Sequence, residues 1–414
     1  MQKKNRRGWN EKLFGLVPEL DAGQNRVWIH AVSVGEINLL SPLVSEFQSR
    51  WPESEVVIST TTESGYDLAK RKFPDLNIFF CPADFSWAVE KAFARIKPEL
   101  FLLTELELWP NLIAAARKQG ASVVLFNGRI GRKSYLGYRT FRFWMRQIFD
   151  QIDLALVQCD TYRRRLIELG IHQNRVFTTG NIKFDCTAEL TDHRGGEFAE
   201  LAGIQEDQCV LLAGSTQENE DRIIIDAFKI ARKTNPALRL ILAPRHPARC
   251  NKLATILQQN QLDYVLRSEL KPGIRDLDNP PVLVIDVIGE LRAWWTIANV
   301  AYVGGSFGRR GGQNMIEPAL VGLPICFGPD THNFKDVVNM LLAKDAALVV
   351  HNVEEIVEFL EWVASDHQAA EQMGQRAKEI AVSQQGAAKR SIDLIESQRL
   401  NSSETRPNSS EIAA

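Results

Sequence analysis

Short β-branched runs alternate with longer amphipathic stretches along almost the whole chain, and this alternation leaves few folds open to it. Strand-length runs lie at 26–32, 55–59, 77–80, 100–104, 122–126, 154–157 and 175–178, with helix-like segments such as 37–47 and 160–169 between them. Antiparallel strands can be joined by two residues, whereas parallel strands need a crossover of a dozen or so. Regular strand–helix spacing therefore predicts a parallel, doubly wound α/β sheet. The pattern lapses over 186–208, a polar stretch containing Gly195 and Gly196, and resumes with 209–213, 239–242, 282–285, 300–303, 324–327 and 347–350. Helical segments at 353–364, 369–380 and 387–398 follow, and the Ser-, Glu- and Asn-rich residues 401–414 bury too little to order themselves. A chain of 414 residues is long for one core. The expected organisation is a first domain at 1–185, a linker at 186–208, a second domain at 209–400 and a disordered tail at 401–414.

Composition narrows the chemistry. The net charge of -2 gives no overall pull toward nucleic acid, so an anion site must be local. The six cysteines form no C-x-x-C pair and the seven histidines no H-E-x-x-H or H-x-H pattern, which argues against a metal site and fits a reducing compartment. No stretch approaches the ~20 apolar residues of a membrane span. The basic N-terminus lacks the apolar centre of a signal peptide. Folding in the cytoplasm is expected, with contact to a membrane surface left open.

Doubly wound sheets bind ligands at the carboxyl ends of their strands, so two in tandem would make a cleft lined by those ends. In the second half, Pro244-Arg245-His246-Pro247 ends a strand. An arginine there can hold a phosphate or carboxylate through two parallel hydrogen bonds, or be an ordinary surface residue. Gly304-Gly305 follows a strand, and Gly311-Gly312-Gln313-Asn314-Met315-Ile316-Glu317 leads into a helix. Glycines there allow backbone N–H groups to approach an anion, and an acid three residues from an amide suits the hydroxyls of a ribose; the alternative is a glycine turn with a capped helix. Ser215 and the run Ile288-Gly289-Glu290 also follow strands. In the first half, Glu36 stands at a strand-to-helix turn where it could act as a general base or merely cap the helix. Glu105 and Glu107 end another strand, on one face if extended, and Lys183 lies near the linker. These charges could equally be solvated surface or structural ion pairs.

Taken in order, W-I-H-A-V-S-V-G-E at 28–36, S-T-T-T-E-S-G-Y at 59–66, E-L-W-P-N-L at 107–112, G-N-I-K-F-D at 180–185, P-R-H-P, I-G-E-L and G-G-Q-N-M-I-E-P closely resemble the motifs of the 3-deoxy-D-manno-octulosonic acid (Kdo) transferases of lipopolysaccharide synthesis. The resemblance runs over about residues 8–398. It implies a GT-B fold, two Rossmann-like domains facing across a cleft. It also implies inverting transfer of Kdo from CMP-Kdo to a lipid A precursor of the lipid IVA type, with no metal or other cofactor. Carried onto this sequence, it makes Glu36 the catalytic base and Glu107 and Lys183 stabilisers of the transition state. It assigns CMP-Kdo binding to Ser215, Pro244, Arg245, His246, Ile288, Gly289, Glu290, Gly311, Gly312, Asn314, Met315, Ile316 and Glu317. The donor's phosphate and sugar carboxylate would then face Arg245 and Lys183.

The sequence departs from the family pattern in three places. Gln313 stands where G-G-H-N has histidine, and Gln217 where G-S-T-H has another; both lose a titratable ring. The usual N-terminal membrane helix does not precede the segment at 3–12, so peripheral membrane binding or a truncated start is expected. Residues 131–149 interleave Arg132, Lys133, Arg139, Arg142 and Arg146 with aromatics including Trp144. With Arg139, Arg142 and Arg146 sharing a helical face, this segment suits anionic headgroups and a phosphorylated glycolipid; a core helix with a solvated basic face is the other reading. The expected location is the cytoplasmic face of the inner membrane, peripherally bound, or the cytoplasm. The competing functions are another GT-B enzyme using a UDP-sugar, an epimerase included, or a degenerate binder of nucleotide or lipid A precursor without turnover.

Overall fold

The computed structural model describes residues 7–21, 25–187, 194–270 and 280–404, with side chains described as far as 398. It divides into two compact units, one of residues 1–186 and 384–414 and the other of residues 187–383. The first unit holds β1 (Arg26–His30), β2 (Glu55–Thr60), β3 (Asn77–Phe80), β4 (Leu100–Thr104), β5 (Ser122–Gly128), β6 (Leu154–Val157) and β7 (Val176–Thr178). All pairs are parallel and the order is β3-β2-β1-β4-β5-β6-β7. Burial is nearly continuous along the strands because helices cover both faces. On one face Trp28 of β1 packs against Phe79, Phe93 and Phe101 with ring centroids 4.5–5.3 Å away. On the other, Ile29, Ile58 and Leu102 meet Ala388, Ile392 and Ile395.

Those last three residues revise the expected boundary. They fall at i, i+4 and i+7 on the helix Ala387–Glu404, which buries this stripe on the first sheet rather than on the second unit. Asp185 accepts from the N–H groups of Gly386 and Ala388 (2.7 and 2.6 Å), capping the helix. Arg50 reaches Asp393 and Glu396 on the same helix at 2.5 and 3.1 Å. The helix also continues through residues 401–404 of the expected tail, whose remainder lies outside the described residues.

The second unit holds β8 (Cys209–Thr216), β9 (Leu238–Pro244), β10 (Tyr264–Leu266), β11 (Val282–Val284), β12 (Val300–Val303), β13 (Ile325–Phe327) and β14 (Leu348–Val349). Its sheet is again parallel, ordered β10-β11-β9-β8-β12-β13-β14. Strand β10 was not apparent in the sequence because it is three residues long and only partly buried at an edge. The expected linker is not all linker. Helix Gly195–Ala202 sets Phe198 edge-on against Trp294 at 4.6 Å and so belongs to this unit, while residues 188–193 lie outside the described residues. The single helix expected at 37–47 is two, Val34–Asn38 and Ser41–Arg50; Pro42, at the start of the second, cannot continue the first. No helix among the described residues is long and apolar enough to cross a membrane.

Candidate active site

In each sheet the chain winds outward from a central strand in one direction and then returns to wind in the other. The two turns diverge between β1 and β4 in the first unit, and between β8 and β12 in the second. Such switch points open a crevice at the carboxyl ends of the strands. In the first unit, the residues at that point are Glu36 after β1 and Thr104 to Glu107 after β4.

Glu36 is buried, 8% exposed, at the start of helix Val34–Asn38. Its Oε2 accepts from the Val32 N–H (2.9 Å) and the Thr104 hydroxyl (2.6 Å), and its Oε1 accepts from the Ser33 hydroxyl (2.9 Å). The spacing Ser33-x-x-Glu36 is that of a capping box, and the carboxylate does fold back on the helix start. Capping and a fixed catalytic orientation are thus the same set of bonds. Thr60 and Thr61, from the S-T-T-T-E run, both donate to the Val32 carbonyl at 3.1 Å and fix the turn from outside.

Two further carboxylates converge on Glu36. Glu105 and Glu107 do not lie along one extended face as expected, because Glu105 adopts φ 55° and the strand ends at Thr104. Burial, and then the charge of Glu36, push both carboxyls above the ordinary range. Lys183 and Arg129 counter this at Glu105, and the Trp109 indole N–H, 3.0 Å from Oε2, counters it at Glu107. All four charged groups named at these strand ends, Glu36, Glu105, Glu107 and Lys183, thus share one neighbourhood.

Lys183 owes its place to residues that the sequence did not single out. Asn127, at φ 53° where β5 bulges against β6, accepts from the Ile182 N–H (3.2 Å). Gln158 donates to the Asn127 carbonyl (2.9 Å) and accepts from Asn181 (3.1 Å), whose own oxygen takes the Lys183 N–H (3.0 Å). Asn127 and Gln158, each one residue beyond the expected strands 122–126 and 154–157, were the available signal.

In the second unit the glycine segments are held differently from the expectation. Glu220, fully buried, accepts from the N–H groups of Gly305, Ser306 and Phe307 (2.7, 2.9 and 3.0 Å), from the Gln217 N–H (2.7 Å) and from the Tyr302 hydroxyl (2.9 Å). The Gly311 N–H goes to Asp330 (2.9 Å), and those of Gly312 and Gln313 go to the carbonyls of Gly305 and Gly304 (2.8 and 3.0 Å). The amides expected to cradle an anion are therefore occupied by carboxylates and carbonyls of the chain itself. Glycine is still required at 304, where a Cβ would sit 2.6 Å from the Ser215 carbonyl oxygen.

The other expected donor-binding residues are distributed as follows. Ser215, at φ 58°, and Pro244, the last residue of β9, lie at strand ends, with Arg245 and His246 exposed beyond. Asn314 and Glu317 do meet, at 3.1 Å, and Trp295 donates to Glu317 at 3.3 Å. Burial raises the Glu317 carboxyl above its ordinary range. The helix begins only at Ile316; Met315 and Ile316 are fully buried, and the Ile316 N–H goes to Asn314 (3.1 Å). Glu290 is taken by Arg267 through two bonds of 2.7 and 3.0 Å, beside Gly289 at φ 93° and an 87% exposed Ile288. Gln217 and Gln313 both border the loop that Glu220 holds.

The basic aromatic segment is two helices, Arg132–Thr140 and Arg142–Phe149, so Arg139 does not share a helical face with Arg142 and Arg146. Tyr135, Tyr138, Met145 and Ile148 pack on the core. Phe141, Phe143 and Trp144 stand out at 64%, 77% and 71% exposure among exposed arginines.

A family model described as 3-Deoxy-D-manno-octulosonic-acid transferase (kdotransferase) matches residues 7–186. The 3-deoxy-D-manno-octulosonic acid transferase of Bordetella pertussis is 33% identical over 382 residues, covering 89% of this chain and 86% of that one. The chain belongs to the Kdo transferase family. As a Kdo transferase it is a glycosyltransferase. It is also 32% identical over 351 residues to a bifunctional glycosyltransferase/methyltransferase of Fusobacterium nucleatum, covering 84% of this chain but only about half, 54%, of that protein. Among solved structures, the UDP-GlcNAc 2-epimerase of Neisseria meningitidis bound to UDP-GlcNAc superposes with a TM-score of 0.61 at 13% identity, over 90% of this chain and all of that one. That likeness is one of fold, the two Rossmann-like halves of GT-B.

Proposed function

We propose that this Kdo transferase moves Kdo from CMP-Kdo to a lipid A precursor, with Glu36 as general base. The observation that supports this reading best is the Glu36 carboxylate, fixed by three donors at the switch point and flanked by Glu105, Glu107 and Lys183. In the reaction, Glu36 takes the proton of an acceptor hydroxyl as its oxygen bonds to the anomeric carbon of Kdo. The bond from that carbon to the CMP phosphate breaks, and its electron pair leaves on the phosphate. Attack opposite the departing phosphate inverts the centre. Positive charge on the sugar ring is stabilised by carboxylates such as Glu107, and the departing phosphate by cations such as Lys183.

The test is incubation with CMP-Kdo and lipid A precursor, followed by mass spectrometry of the lipid. Kdo-sized additions are expected, and CMP but not UDP should raise the melting temperature. Protection by UDP would favour a UDP-sugar enzyme, and protection by CMP with no addition a non-catalytic binder.

We also infer that the first unit rests on an anionic bilayer at the cytoplasmic face of the inner membrane, through Phe141, Phe143 and Trp144 with Arg139, Arg142 and Arg146. Aromatic rings at headgroup depth and nearby basic residues, worth about 1 kcal/mol each at such a surface, support it. Replacing the three arginines by Glu should weaken sedimentation with phosphatidylglycerol vesicles at least a hundredfold. Binding equal to that of the parent protein would refute the inference.

A further inference from the structure

Thr104 ends β4 at the switch point and is 3% exposed. Its Oγ1 lies 2.6 Å from Glu36 Oε2 and 2.9 Å from the His30 carbonyl oxygen. A hydroxyl has one proton to donate, and both neighbours are acceptors while Glu36 is ionised. The shorter contact, to the charged oxygen, then takes the proton, since charge-assisted bonds are the shorter and stronger kind.

We propose that Thr104 is a positioning residue whose hydroxyl, donated to Glu36 Oε2 from across the switch point, holds the carboxylate so that Oε1 takes up the acceptor's proton. The inference rests on the reading of Glu36 as the general base. The Val32 N–H and the Thr104 hydroxyl fill both lone pairs of Oε2, so the acceptor's proton goes to Oε1, beside the Ser33 hydroxyl, and Thr104 goes on donating to Oε2. Both protonation states keep their hydrogen bonds without movement of a heavy atom. Burial keeps the neighbouring His30 imidazole neutral, lowering its pKa to about 4.

The surrounding charges show why such a device matters. Glu36 faces Glu105 and Glu107 from the segment after β4, and after burial its charge is what holds both of those carboxyls above the ordinary range. Lys183 and Arg129 act on the cluster from beside Glu105. On its own segment the Val32 N–H and the Ser33 hydroxyl donate to Glu36, and Thr104 adds a third donor from across the switch point.

Thr104→Val replaces the hydroxyl by a methyl of the same shape and keeps a strand-forming residue. The acid limb of its kcat/KM profile for Kdo transfer should move up by roughly one pH unit, since the carboxylate loses one of its three hydrogen-bond donors. At pH 7 kcat should fall while KM for CMP-Kdo stays within twofold. Thr104→Ser should return the limb to its parental position, and Thr104→Ala, which cannot clash, should show the same shift as Thr104→Val. An acid limb of Thr104→Val and Thr104→Ala superimposable on the parent's overturns the proposal. Glu36→Gln, assayed in parallel, separates the two ideas. If that variant is inactive and the limbs superimpose, only the role of Thr104 fails; if it remains active, the general-base reading fails first.

Discussion

Replacing Glu36 with glutamine is expected to lower kcat for Kdo transfer by about 10²–10⁴, the usual worth of a positioned general base. Glutamine has the same shape and keeps one oxygen, which can still accept from the Val32 N–H and from Thr104 where Oε2 does now. Its amide nitrogen would then face Ser33, whose hydroxyl can turn to accept. The helix start should survive, with a loss of ~1 kcal/mol from weaker capping. CMP binding should be unchanged, since the expected nucleotide residues lie in the second unit and Glu36 in the first. Single-turnover transfer measured beside CMP titration checks both halves. Parental turnover in a well-folded Glu36→Gln would remove this carboxylate from the chemistry.

The same residue shows how far the sequence could be read. A strand, a small-residue turn and an acid at a helix start placed Glu36 at a strand end, because strand–helix alternation specifies a parallel sheet and a parallel sheet puts its ligand loops at one edge. What could not be read was company. Thr104 lies 68 residues from Glu36 and Asn181 lies 54 from Asn127, and only the strand order brings them together. The returning helix Ala387–Glu404 was misassigned for a related reason. Its apolar stripe of Ala388, Ile392 and Ile395 announces that a sheet must be covered but not which one. The glycine segments hide their partners in the same way: the amides at 305–307 go to the Glu220 carboxylate and that of Gly311 to Asp330.

Glu220 consequently carries the second large effect. Glu220→Ala should cost more than ~4 kcal/mol, outside the range of most single substitutions. It would leave the N–H groups of Gln217, Gly305, Ser306 and Phe307 and the Tyr302 hydroxyl without their acceptor, at ~1–3 kcal/mol for each buried group that finds no water. Even Glu220→Gln should be strongly destabilising, because each carboxylate oxygen takes several donors and an amide nitrogen can take none. Tyr302 reports the environment: burial, and then the Glu220 charge, hold its hydroxyl well above the ordinary tyrosine range. Urea unfolding and hydrogen exchange at residues 305–307 would measure the loss, and CMP affinity should fall with it, since the same loop borders Ser215 and Gly311. The two glutamine variants therefore separate the two carboxylates by observable: Glu36→Gln should lose rate and keep stability, and Glu220→Gln should lose stability and, through it, nucleotide binding. Protected amides at 305–307 in Glu220→Gln would mean that the loop is held by its carbonyl bonds instead, and that the buried carboxylate is not what shapes it.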